Sequence, residues 1–222
     1  MRTLIILLLV LCIGTAATAQ QRFDNKVRED MFAGMDGDKE SFDRAMKLIA
    51  DTLAKEPDHP EALVWRGDGE LFLAGQAFQR RDFAEGQKLT QQGLADMERA
   101  VSLAPESFAV RIPRATGLQP FARYMRPYNL AQSDRLMKIA MSDFEFVIEK
   151  STPTWSTLAP HNRGELLGAL ADGWLTLGDT TKANAYLDRM IAELPDTPYA
   201  KAAAQRRADP SARAPLTCLS CH

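Results

Sequence analysis

The sequence predicts an all-α protein: a stack of antiparallel helix pairs followed by a short extended C-terminal tail. Three observations carry that expectation. Apolar residues recur at helical spacing through most of the chain. Breaks rich in Gly and Pro separate these stretches at the rhythm of helix pairs. Strand signals are almost absent, and Asp36-Gly37, a dipeptide that often turns hairpins, sits between helical patterns.

The N-terminus reads as an export signal. A positive charge at Arg2 precedes an apolar run over residues 4–13, and Ala17-Thr18-Ala19 supplies a small-residue cleavage site. Residues 1–19 are therefore expected to leave the mature chain. The run is short for a membrane span, and no stop-transfer pattern follows. An uncleaved anchor is the competing reading. Cys12 makes a poor lipoprotein site because Leu11, not a small residue, precedes it.

About 200 residues would remain, enough for one domain or an elongated repeat array. Residues 20–208 read as that helical domain. A helix runs through Phe42, Ala45, Ile49 and Leu53 after a Gly37-Asp38 turn and ends before EPDHPEA. Residues 61–105 look like a second pair, with Trp65 in its first helix and Met97, Ala100, Val101 and Ala104 striping its second. Pro113 and Pro120 then predict an irregular or kinked helix. Residues 130–149 are a long helix with Met137, Ala140, Met141, Phe144, Val147 and Ile148 on one face. Leu167, Leu170, Trp174 and Leu177 stripe the next helix, and Ala183, Leu187, Met190, Ile191 and Leu194 the one after it. Residues 199–207 read as a capping helix. Residues 209–222 form a Pro/Ala/Ser-rich linker and a tail, the linker expected to be extended and to act as a short leash.

The stretch 164–197, GELLGALADGWLTLGDTTKANAYLDRMIAELPDT, resembles a tetratricopeptide repeat, a unit of about 34 residues. Ala171 stands at the small position of its first helix and Trp174 at the aromatic that follows. Gly178-Asp179 is the turn, Ala183 the small residue of the second helix, and Pro195 the closing proline. Leu187 stands where the pattern prefers an aromatic, and Met190 where it prefers a small residue. Residues 23–60 and 61–105 match more loosely. The resemblance implies a tetratricopeptide-like stack that offers a protein-docking surface.

The last five residues, Cys218-Leu219-Ser220-Cys221-His222, form C-x-x-C-H, the attachment motif of c-type haem. Two thiols add across the haem vinyl groups, and His222 supplies an axial nitrogen. The chain has three cysteines, and removal of Cys12 with the signal leaves only these two. A disulfide or redox couple expects a βαβ context that is missing, and structural zinc expects a fourth ligand. Haem attachment takes place on the outer side of the bacterial inner membrane, so export and the motif agree. Together with the repeats, the motif makes the chain resemble a bacterial tetratricopeptide c-type cytochrome.

Cys218, Cys221 and His222 are thus the candidate cofactor-binding residues, for one covalent haem c. The second axial ligand is expected to be His161, at the entry of the last helix pair. His59, in a repeat linker, is an alternative, as are Met125, Met137, Met141 and Met190, whose apolar positions favour packing. An open sixth position, or a ligand from a second chain, is the remaining option. Arg111, Arg114, Arg123 and Arg126, interleaved with Phe121, Tyr124 and Tyr128, read as a solvated basic face or a propionate and partner clamp.

Composition excludes several classes. The net charge of −2 with no basic block argues against nucleic acid or an anionic membrane surface. No second apolar run follows the signal, so no span is expected after cleavage. No Ser-His-Asp set and no H-E-x-x-H argue for a hydrolase. The expectation is a periplasmic or extracellular monohaem electron carrier with a protein redox partner or periplasmic complex, and possible self-association through repeat stacking. The alternatives are a periplasmic scaffold without a redox role, and a haem sensor or peroxidase with an open distal site.

Overall fold

The computed structural model describes residues 22–217. Nine α-helices and one 3-10 turn make up the described residues, and no strand occurs among them. The helices are α1 (Asp24–Met35), α2 (Lys39–Lys55), α3 (Pro60–Gln79), α4 (Phe83–Leu103), α5 (Phe108–Met125), α6 (Leu130–Ser151), α7 (Pro160–Leu177), α8 (Thr180–Glu193) and α9 (Pro198–Ala208). They pack as the pairs α1/α2, α3/α4, α5/α6 and α7/α8, with α9 closing the end against α8 and α7. The architecture is all-α and consistent with a tetratricopeptide-like stack.

The turns between helices are chemically specified. Asp38, His59, Asp82, Asn129, Asp179 and Thr197 each accept a hydrogen bond from a backbone N–H in the first turn of the next helix. These groups satisfy donors the helix cannot pair internally. Pro60, Pro160 and Pro198 open α3, α7 and α9, where the missing N–H costs nothing. Gly178 ends α7 at φ 81°, a conformation that favours glycine.

Neighbouring pairs meet through α2 on α3, α3 on α5 and α6 on α7, with single side chains adding contacts between the first helices of successive pairs. Phe32 of α1 meets Trp65 of α3 edge-on, with centroids 5.7 Å apart. Gly117 of α5 lies against Asp68 of α3. The Gln119 side chain of α5 donates to the Ala169 carbonyl of α7 at 2.8 Å. The apolar stripes read from the sequence line this core: Met137, Met141, Leu167, Leu170, Leu187 and Met190 are fully buried. Ile191 departs from its stripe and is 37% exposed.

Two expectations change. Of the two forms expected around Pro113 and Pro120, the irregular one is not seen: both prolines sit inside one helix, α5, which pairs with α6. The Thr116 hydroxyl, between them, donates to the carbonyls of Ile112 and Pro113. Burial of Val110, Pro113, Leu118 and Phe121 supplies packing that offsets the lost backbone bonds. The second change concerns the tail. Residues 209–217 are not a free leash: they fold back onto the body, and Leu216 is 4% exposed in a cluster with Leu167, Ala171, Leu187, Met190 and Ala203. A single apolar side chain in a polar segment gains from burying itself wherever a groove is offered.

Candidate functional site

The signal segment, Cys12, and the motif residues Cys218, Cys221 and His222 lie outside the described residues. The described residues end at Thr217, one residue before the motif in sequence.

Helix α7 turns one face toward α9 and the tail. His161, Gly164, Glu165, Gly168 and Asp172 fall on that face at helical spacing. Tyr199, in the first turn of α9, lays its ring on Gly164, where an added Cβ would meet ring atoms at 2.5 Å. Arg206, in the last turn of α9, reaches Asp172 at 3.5 Å. The two helices therefore run parallel, and a groove lies between them.

The tail enters this groove from the far end. After α9, the Ala212 N–H donates to the Asp209 carbonyl at 3.0 Å and turns the chain. The Ser211 hydroxyl and N–H both donate to the Asp209 carboxylate and hold its pKa below the ordinary range. Arg206 donates to the Ala212 carbonyl. Four residues later, the Leu216 carbonyl presses on Gly168, where a Cβ would sit only 1.9 Å from its oxygen. The described tail thus passes from the level of Arg206 and Asp172 to that of Gly168, heading toward the start of α7. His161 lies seven residues further in that direction, about 10 Å along the helix.

Gly168 is the point where this docking can be undone. In Gly168→Val the new side chain occupies the position of the Leu216 carbonyl, so the tail is expected to lift off. The expected cost is about 1.5–3 kcal/mol, the burial of one leucine. Hydrogen exchange is expected to rise across residues 212–217 while α1 to α6 keep their protection. Unchanged exchange in the tail would show that the groove does not hold it.

His161 is exposed, and its Nδ1 stands 2.6 Å from the Tyr199 hydroxyl. The Tyr199 hydroxyl donates to Glu165 Oε1 at 2.7 Å. His59 is placed differently. Its Nδ1 accepts the Ala62 N–H at 3.2 Å as the cap of α3, and Phe23 lies 5.1 Å away, centroid to centroid. It lines a cleft of about 610 Å³ with Pro57, Asp58, Pro60, Ser107 and Val110, at the α2–α3 and α4–α5 turns. A second groove, of about 470 Å³, runs along Leu94, Met97, Arg114, Leu136 and Ile139. The residues lining these two cavities do not include those that hold the tail. Among the methionines, Met137, Met141 and Met190 are core residues with no exposure, and Met125 is partly buried against the core. Among the described residues, no three His, Cys, Asp or Glu side chains gather as a metal cluster.

Each arginine of the cluster has a carboxylate partner, and of the four only Arg123 is exposed. Arg111 and Arg114 both grip Asp143, which is completely buried in α6. Arg123 pairs with Asp172 and Arg126 with Asp134. All four cations tie helices or turns to one another.

Sequence reasoning missed Tyr199, Glu165, Gly168 and Leu216. Tyr199 lies 38 residues from His161, and nothing local links them. The spacing Gly164-x-x-x-Gly168 on a helical face was the available signal, because small residues one turn apart admit a close neighbour.

No family model, no curated protein and no solved structure matches this chain. Among the described residues, no helix is long and apolar enough to cross a membrane.

Proposed function

We propose that the chain is an exported monohaem c-type cytochrome whose helical stack docks a protein redox partner. One observation carries the reading beyond the C-x-x-C-H motif itself. The tail that bears the motif is packed between α7 and α9 up to Thr217, on a course toward His161. From Cys218 to His222 an extended chain reaches at most about 17 Å, and His161 lies about 10 Å along α7 from the docking point.

The residues present fit the group. The backbone of the tail occupies the cradle at Gly168, and His161 offers a solvent-facing imidazole whose Nδ1 is already engaged. Cys218 and Cys221 would hold the haem through thioether bonds, and His222 and His161 would supply nitrogens to its iron. The haem, when bound, supplies one-electron chemistry. The protein would supply the iron-binding nitrogens, and the docked tail would limit motion of the attachment point. Phe83 and Tyr128, 61% and 74% exposed at the α3–α4 and α5–α6 turns, are linked through the rings of Phe78 and Tyr124 and offer an apolar surface suited to a partner.

The test is a haem stain on a denaturing gel, using full-length protein matured by a cytochrome assembly system. The wild type is expected to retain one haem through denaturation, and the double variant Cys218→Ala/Cys221→Ala none. A wild type without stain would replace this reading with that of a scaffold lacking a redox role.

A further inference from the structure

We infer that Tyr199 is the positioning residue for His161: through Glu165 it fixes the imidazole in the tautomer whose Nε2 carries a free lone pair. This rests on the haem reading above, and it concerns side chains of the body alone.

The three groups form a directed chain. A carboxylate can only accept hydrogen bonds. The Tyr199 hydroxyl donates its one proton to Glu165 Oε1 at 2.7 Å. Its oxygen then has only lone pairs to offer His161 Nδ1, 2.6 Å away. Nδ1 must therefore carry the proton, and a neutral imidazole protonated at Nδ1 presents a bare Nε2. That is the tautomer an iron requires of a histidine bound through Nε2, with the partner on the other nitrogen fixing ring orientation.

The geometry is held from both sides. His161 and Glu165 are one turn apart on α7, so their side chains share a face. Tyr199 comes from α9 and bridges them, its ring seated on Gly164. The same α7–α9 groove receives the tail at Gly168. His59 makes the useful contrast. Its Nδ1 accepts the Ala62 N–H, so the neutral ring carries its proton on Nε2. Of the two histidines in the described residues, one is arranged to present Nε2 as a ligand and the other is arranged to cap a helix.

The experiment has two arms. The first uses the full chain with Cys218→Ala/Cys221→Ala, which carries no haem. Nitrogen-15 NMR at a pH where the ring is neutral reads its tautomer. His161 is expected to be protonated at Nδ1, and His59 at Nε2. Tyr199→Phe, which keeps the ring on Gly164 and removes the hydroxyl, is expected to abolish the preference at His161. Glu165→Gln, whose amide oxygen still accepts from Tyr199, is expected to retain it. An Nε2-protonated His161 in the parent, or no change in Tyr199→Phe, overturns the inference. The second arm uses haem-loaded protein. Tyr199→Phe is expected to weaken His161 ligation 10- to 100-fold, read as displacement of the axial histidine by lower concentrations of added imidazole. Equal displacement in both proteins overturns the positioning role. If His161→Ala leaves the haem spectrum unaltered, the ligand assignment fails, whereas the first arm still decides what Tyr199 does to the ring.

Discussion

Asp143→Ala is expected to destabilise the protein by about 3–5 kcal/mol, the cost of breaking a buried ion pair from one side. Asp143 has no exposure and receives three charged hydrogen bonds. Arg111 donates from Nη1 at 2.6 Å, and Arg114 from Nε at 2.6 Å and Nη2 at 2.7 Å. The two guanidinium groups are themselves only 17% and 14% exposed. Alanine leaves both cations facing each other with no counter-charge, between α5 and α6. Phe146 lies 4.5 Å from the Arg111 guanidinium, which limits where that group can go. Urea unfolding should show a lower midpoint with an unchanged slope. Arg123→Ala, at a pair whose side chains are 39% and 33% exposed, should cost less than about 1 kcal/mol. Equal losses in the two variants would mean that the buried site is not what joins α5 to α6.

Asp68→Asn is expected to act in the opposite direction, and only at higher pH. Asp68 is buried in α3 against Gly117 of α5, and among the described residues no cation pairs with it. Burial pushes its pKa from 3.8 up to about 7. The unfolded chain ionises this group near pH 4, whereas the folded protein keeps it protonated until about pH 7. The contribution to stability is therefore complete below pH 4 and is lost as pH rises to about 7. A shift of that size corresponds to about 4 kcal/mol. Glu70, partly buried on the same helix and also raised to about 7, adds to the trend. Melting temperatures of the wild type should fall between pH 5 and 8. Those of Asp68→Asn should fall less, and the variant should be the more stable protein at pH 8. Parallel curves would show that Asp68 does not control the pH response.

Both sites mark the limit of what the chain discloses on its own. Helices and their breaks were legible because stripe spacing and caps are local: the 137–148 and 167–174 stripes and the Gly178-Asp179 turn each lie within a few residues. Asp143 was not. A carboxylate beside an apolar stripe reads as a solvent-facing residue, and its partners stand 29 and 32 residues away. The four arginines look like a free basic face until Asp134, Asp143 and Asp172 are brought opposite them. Pro113 and Pro120 suggested an irregular or kinked helix because local propensity counts the missing N–H but not the burial of the same segment.

The candidate site divides in the same way. C-x-x-C-H is legible since covalent attachment needs thiols and imidazole within one short loop. His161 was singled out for its nearness in sequence to the last repeat. Its link to Tyr199 and Glu165 needed α7 and α9 side by side. Leu216 was not singled out in a tail expected to be an extended leash, and only the bare surface at Gly168 explains why it docks.

The visible absorption spectrum of the full chain, matured with haem and reduced, tests the central claim most directly when wild type and His161→Ala are compared with and without carbon monoxide. The account predicts a covalently bound, six-coordinate low-spin haem in the wild type that carbon monoxide does not perturb, and a ligand-binding haem in His161→Ala. A wild type with no haem bands, or one that takes up carbon monoxide as readily as the variant, would contradict it.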